Sequence, residues 1–449
     1  MSPTLTDLPA ELLHMIFSEL QYLIRDFRCA CYSIRPSTLT CIKLRKVAVD
    51  YLQFPHVECD LAHFLRFIRD HPRSAPTVRN LDLYVEHPSG STIPNATADG
   101  SILNADFVEA IQEFCPNVVS LALKDITYTP PVTQENNAGP RTESLRLQRL
   151  ALTCARGALG WSLSSLMHVV SLTAPRELVV QIEGDGHFEE AFDPRVVAGL
   201  SAIADLAVRI SDSNKKPIAS LLHALSQTLA PDSLKTIEVQ YDSKESLCAL
   251  GELLQHIGAN VIKLTVIASP PSDLEQRQDW IDPFDGQSRS LPDEVVVNLT
   301  TPQRYNLYSD WTLLDIRPCK KLEYLAFPIH VRRRNTVDKP LSHVGVGLLA
   351  NYAPQETLRR VVVNLHGVSR AGTLRKSSRS VLQLQQFDKV LTHARFPHLL
   401  EFGLHVGFTP HLRAEENAFT RECKDSARWT LHGLSLRGVL KTQCHSEVE

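Results

Sequence analysis

One pattern constrains this chain more than any other. A six-residue core of the form apolar-x-x-apolar-x-apolar, with Pro allowed first, recurs twelve times. The cores occupy residues 78–83, 118–123, 147–152, 175–180, 203–208, 234–239, 261–266, 292–297, 322–327, 358–363, 399–404 and 431–436. Val78-Arg-Asn-Leu81-Asp-Leu83 and Leu358-Arg-Arg-Val361-Val-Val363 are typical. The alternation at the end of each core is the period of a strand with one buried face. The fourth positions are spaced 27 to 41 residues apart, about 32 on average. A strand repeated at that interval is the mark of a solenoid, whose units bury their apolar faces only against neighbours. The pattern predicts about twelve roughly parallel strands. Leu121, Leu206 and Val363 should face the core, and Ala122, Ala207 and Val362 the other side.

Helical patterns lie between the cores: Asp106 to Phe114, Ile218 to Leu229 and Ser246 to Ile257 repeat apolar residues at helical spacing. Strand, loop, helix and return resemble a leucine-rich repeat of the long type. The departure is that no asparagine recurs after the strand, so the buried asparagine ladder of that family is missing. With 449 residues, 43% of them hydrophobic, the chain has ample material for so long a core. A doubly wound α/β enzyme is the competing architecture, but it would need fewer strands and longer apolar runs. Residues 86–101, 127–142 and 268–290, rich in Pro, Gly, Ser and Asn, read as surface loops, and 441–449 as a polar tail that frays.

The N-terminus reads differently. In Leu8-Pro9-Ala-Glu11-Leu12-Leu13-His-Met-Ile16-Phe17-Ser-Glu-Leu20 the apolar residues fall at helical spacing, with Pro9 and Glu11 suited to a first turn. The residue types resemble the opening of the F-box, a module that docks on the Skp-type adaptor of cullin–RING ubiquitin ligases. Residues 21–36 look like an insertion. Leu44, Arg45 and Val47 then fit the family's second half, while Ala48 and Asp50 replace its usual cysteine and basic residue. The resemblance covers residues 5–57, an eighth of the chain, and is that of the divergent F-box proteins abundant in fungi. It implies that Leu8, Pro9, Leu12, Leu13, Ile16, Phe17 and Leu20 occupy adaptor-facing and core positions.

Signals for chemistry are thin. Gly345-Val-Gly347 lacks the third glycine of a dinucleotide loop, and Gly160-Trp-Ser162-Leu-Ser164 lacks the closing glycine of a nucleophile elbow. No zinc-protease, P-loop or EF-hand motif is present, and no cofactor or metal is expected. The ten cysteines never form CxxC, and Cys29-Ala-Cys31 alone is weak ground for zinc. Scattered thiols, no secretory signal and no long apolar run suggest a soluble protein of the cytoplasm or nucleus. With 47 basic and 50 acidic residues the chain is not built for polyanions, so neither nucleic acid nor membrane is an expected partner.

Charge is unevenly distributed, however. Residues 331–379 hold ten basic side chains against two acidic ones, whereas 268–294 are acidic. Arg332, Arg333, Arg334, Arg359 and Arg360 are therefore the candidate contacts for a phosphorylated or acidic target segment. The expected architecture is an α/β solenoid, a leucine-rich-repeat-like horseshoe over residues 58–449, with a small all-α F-box-like domain over 1–57. The expected function is that of a non-catalytic substrate receptor. It would bind the Skp-type adaptor, and through it a cullin, and present a target for ubiquitin-dependent degradation. The alternative is a repeat scaffold with no ubiquitin role, in which the F-box is only a cap.

Overall fold

The computed structural model of the chain describes residues 56–84, 102–128, 145–154, 162–182, 203–210, 217–268, 314–330, 345–350, 356–368, 384–408 and 413–446, with isolated gaps, together with positions 9, 12 and 374. The chain forms two compact units, residues 1–153 and 154–449.

The first unit contains the strands β1 (His56–Asp60), β2 (Asn80–Tyr84), β3 (Ser120–Lys124) and β4 (Arg149–Cys154), which pair in chain order, all parallel. Helix α1 (Leu61–Asp70) packs on β1 and β2, and α2 (Ala105–Phe114) follows β2. A second parallel pair joins Ile102–Leu103 to Thr127–Tyr128, so residues 127–128, expected in a loop, belong to a strand.

The second unit repeats the scheme with β5 (Glu177–Ile182), β6 (Asp205–Ile210), β7 (Thr236–Tyr241), β8 (Lys263–Ala268), β9 (Tyr324–His330), β10 (Arg360–His366), β11 (Glu401–Phe408) and β12 (Leu440–Ser446). These too are parallel and stand in chain order. Its helices are α3 (Leu163–Thr173), α4 (Pro217–Thr228), α5 (Lys244–Ile257), α6 (Gln385–Val390), α7 (Arg413–Thr430) and α8 (His432–Leu436), and residues 345–350 are also helical. Strict chain order decides the architecture. Parallel crossovers have one hand, so strands added always on the same side carry every crossover to the same face. Each unit is thus an α/β solenoid segment, not a doubly wound sheet.

Ten of the twelve predicted cores coincide with strands, and register keeps the repeat frame. Leu81 stands opposite Leu121, and Leu264 opposite both Ile237 and Leu325. The first, fourth and sixth positions are core: Val118, Leu121 and Leu123 are buried, as are Leu358, Val361 and Val363. At the second position the side chain faces solvent, and its backbone carries the joint between rungs. The second-position carbonyl accepts two N–H groups from the next rung, as Arg79 O does from Val119 and Ser120. The arrangement recurs eight times among the described residues, at 2.8–2.9 Å and 2.9–3.1 Å. Arg359 O, for example, accepts from Leu400 and Glu401.

Three residues before several of the cores a second device recurs. Cys115, Gly258 and Cys319 accept the first-position N–H of Val118, Val261 and Leu322 at 3.0–3.1 Å, closing a tight turn. The slot is crowded. A Cβ on Gly258 would lie 3.1 Å from the Cys319 sulfur of the next rung. Burial raises the Cys115 thiol to about 11 and that of Cys319 to about 12, so both are packing residues.

The frame fails at the C-terminal end. The core expected at 431–436 is helix α8. Leu431-x-x-Leu434 satisfies helical spacing as well, and Asp388 on α6 accepts the N–H groups of Gly433 and Leu434 at 2.9 and 2.7 Å. That carboxylate supplies the acceptors a helix start needs. A Cβ on Gly433 would come within 3.1 Å of it. Leu436, the third apolar position of the expected strand, is 76% exposed. The last strand is instead β12, made from the segment expected to fray. At the other end β1 straddles residue 57, the expected boundary between the F-box-like segment and the array, so its Val57-x-Cys59 alternation is divided between the two. The core at 292–297 lies outside the described residues, and β8 pairs directly with β9. Val362, expected on the exposed side, is fully buried, whereas Ala122 and Ala207 are half-buried.

Neighbouring second and fourth positions give a direct test of the frame. Phe402 is fully buried with its ring centroid 5.6 Å from that of Phe387, while Leu400 is 63% exposed. Phe402→Ala should cost about 3–5 kcal/mol in denaturant unfolding. Leu400→Ala should stay within about 0.5 kcal/mol of the parent. Equal losses at the two positions would refute the assignment of faces.

Candidate functional site

With one face of the sheet closed by helices, the third and fifth core positions, and the alternate residues beyond them, make up the open face. In the second unit this face changes character at β8. Third-position residues Lys263, Tyr324, Arg360 and Glu401 are neighbours in register on four successive strands. The Lys263 ammonium lies 5.0 Å from the centre of the Tyr324 ring and the Arg360 guanidinium 5.5 Å, so two cations flank one aromatic face system. Arg360 also donates to Glu401 at 2.7 Å. Burial raises the Tyr324 phenol, which therefore stays protonated and able to donate.

One row further along, Thr265, Ala326, Val362 and Gly403 form a floor of small buried residues. Their size explains the burial of Val362. A Cβ on Gly403 would meet both Val362 Cγ2 and His405 Nε2 at 3.3 Å, so these two side chains close over the glycine. In the next row Pro328, Asn364 and His405 stand side by side. Asn364 Oδ1 and His405 Nε2 are buried without hydrogen-bond partners. Leaving such atoms unpaired costs on the order of 1–3 kcal/mol each, a cost that a bound donor or acceptor would remove. Burial holds the His405 imidazole below its usual range, with Arg360 and His445 adding to the effect and Glu401 opposing it.

The face thus combines a protonated phenol, two cations, one carboxylate, and unpaired polar atoms above a floor of small buried residues. Among the described residues Lys263 has no carboxylate partner, and Arg359 is exposed. Nothing here aligns a nucleophile with a base. Among the described residues no group of three or more His, Cys, Asp or Glu could hold a metal ion, and no helix is long and apolar enough to cross a membrane. Ser162, in the elbow-like segment, is the N-cap of α3 and accepts the Ser165 N–H at 3.0 Å.

Of the residues singled out in sequence, Arg360 projects on the open face, already paired to Glu401. Arg359 lies one step earlier, on the exposed rim where its carbonyl serves the backbone joint. Arg332, Arg333 and Arg334 lie outside the described residues, as does the acidic stretch 269–294. At the N-terminus Pro9 is exposed, and Leu12 is helical and 40% exposed. Leu8, Leu13, Ile16, Phe17 and Leu20 lie outside the described residues. Sequence reasoning passed over Lys263, Tyr324, Glu401, Asn364 and His405. The signal for the first three was present, since each is the third residue of a recognised core.

His405 gives this site a pH signature. Its folded-state proton affinity is lowered, so the unfolded chain binds the proton more readily. Its contribution to stability is intact above the ordinary imidazole range near pH 6.5 and is lost as pH falls through and below it. His405→Gln should flatten the decline in stability between about pH 7 and 5.5, and the His405 resonances should titrate below the ordinary imidazole range.

Neither a scan against protein-family models nor a search of curated proteins finds a match for this chain.

Proposed function

We propose that this chain is the substrate-receptor subunit of a Skp–cullin–F-box ubiquitin ligase. In this reading the N-terminal helix engages a Skp-type adaptor in the cytoplasm or nucleus, and the open face of β8 to β12 holds the target. Thioester transfer and isopeptide formation belong to the partner subunits. The observation that carries the target-binding half is the row Lys263, Tyr324, Arg360 and Glu401, set beside unpaired Asn364 Oδ1 and His405 Nε2. Flat, half-exposed and mixed in polarity, it suits an extended protein segment better than a small molecule, which calls for an enclosed cavity. The excess of cations there, with Arg359 on the rim and Lys441 on β12, suits an acidic or phosphorylated segment.

Support for the adaptor half is the run from Leu8 to Leu20 and the exposure of Leu12 on a helix. An exposed apolar side chain in such a run is fit to anchor a partner. The insertion after Leu20, and Ala48 and Asp50 in the second half, favour the scaffold reading in which these helices only cap the array.

Co-purification with the adaptor separates the two. Leu12→Ala and Phe17→Ala should each cost about 2 kcal/mol or more of adaptor binding, roughly thirty-fold in affinity, while the repeat array keeps its thermal transition. Adaptor binding that neither substitution weakens, or none by the native chain, leaves the scaffold reading.

On the open face, Lys263→Glu with Arg360→Glu should destabilise the fold by no more than about 1 kcal/mol, because both side chains are exposed. The pair should nonetheless weaken target capture, and capture by the parent should fall as salt rises. A target bound equally well by the double variant would place recognition elsewhere.

A further inference from the structure

The last long helix and the last strand turn two cysteines towards each other. Cys444 stands on the core side of β12, in the row of Leu440 and Thr442, and pairs in register with Val406 of β11. Helix α7 packs on β12 and presents Thr420, Cys423 and Ala427 at spacings of three and four, hence on one face. Cys423 and Ala427 are wholly buried, while Cys444 is partly accessible. The Cys423 and Cys444 thiols lie within hydrogen-bonding reach of each other, Thr420 borders the Cys444 sulfur, and the Lys424 ammonium lies close by. Glu422 borders Cys423, and β11 offers at this position only the non-titrating Val406. Both cysteines are free thiols. Neither the backbone joints nor the open face makes use of them.

We propose that Cys444 is a nucleophilic redox site and Cys423 its resolving thiol, with a small peroxide as the oxidant. The Cys444 thiolate attacks one peroxide oxygen and the O–O bond breaks. The sulfur is oxidised to a sulfenic acid, and the departing oxygen takes up a proton to leave as water or an alcohol. The Cys423 sulfur then attacks the sulfenic sulfur, the S–O bond breaks, and the hydroxyl leaves as water with the Cys423 proton. Two thiols become one disulfide as the peroxide is reduced.

The surroundings suit these roles. The neighbouring Cys423 thiol, with Lys424 and Thr420, holds the Cys444 thiol below its usual range against the opposing effect of burial. Cys423 is pushed strongly up by the Cys444 thiol and by burial, so it keeps its proton until needed. Cys248, also partly accessible, is pushed up by burial and by Glu252. A lowered thiol holds more thiolate at neutral pH, and that gain outweighs the accompanying loss of intrinsic nucleophilicity. The disulfide would fasten α7 to β12, the edge strand of the sheet, and so lock the terminal rung in place.

The test uses the full-length native protein. Alkylation followed by peptide mass spectrometry should find Cys444 labelled severalfold faster than Cys59 and Cys248 at pH 7. Hydrogen peroxide should remove two titratable thiols, join the peptides containing Cys423 and Cys444, and raise the thermal midpoint. In Cys423→Ser the sulfenic acid should persist and be trapped on Cys444 by dimedone, a readout that does not need the disulfide. Labelling of Cys444 no faster than of Cys248, or a peroxide-induced disulfide excluding either cysteine, would overturn the proposal.

Discussion

The structure depends on one joint: the second-position carbonyl that accepts two N–H groups from the following rung. It uses only backbone atoms, which every residue but proline supplies in full. Side chains at that position are therefore free to vary, and Arg79, Val119, Ala204, Lys235, Glu323 and Arg359 all serve. A leucine-rich repeat with an asparagine ladder holds its rungs with a side chain. Here the joint lies in the main chain at the start of each strand, which is why rungs persist through so irregular a period. Burial of the first, fourth and sixth positions supplies the driving force, and the joint sets the register.

Once register is fixed, the open face follows, because the third and fifth positions of successive rungs become neighbours. Side-chain size then separates plain rungs from the candidate site. Where the floor is Thr265, Ala326, Val362 and Gly403, long neighbours lean inward and bury polar atoms that the sheet leaves unpaired. Elsewhere the same positions meet their needs locally, as in the 2.8 Å pair of Arg209 with Glu238.

The C-terminal end of the described array is held in a different way. Side chains here do what backbone does elsewhere. Asp388 caps α8, Arg437 donates to the carbonyls of Leu391 and Phe396, and Arg395 to those of Leu349 and Ala350. The last strand carries Thr442 and Cys444 where β10 and β11 carry Val363, Leu365, Leu404 and Val406, and that change places the Cys444 thiol on the side of α7.

By itself the sequence determined the class of architecture, ten of the strands, and the faces of most of their residues. An apolar face repeated at a strand's period has only one place to be buried, and local pattern records it. The third-position residues Lys263, Tyr324, Arg360 and Glu401 were equally legible as outward-facing. Tertiary structure alone decided the rest. Leu431 to Leu436 fits strand and helix alike, and the Asp388 carboxylate, 45 residues distant from Gly433 in sequence, settled the choice. β12 has too little apolar pattern to be read locally, since it is held by pairing to β11. Val362 is buried because Gly403 lies beside it on the next strand. Contact between residues far apart in the chain leaves no local period, so only the folded register could bring His405 over Gly403, or Cys423 to Cys444.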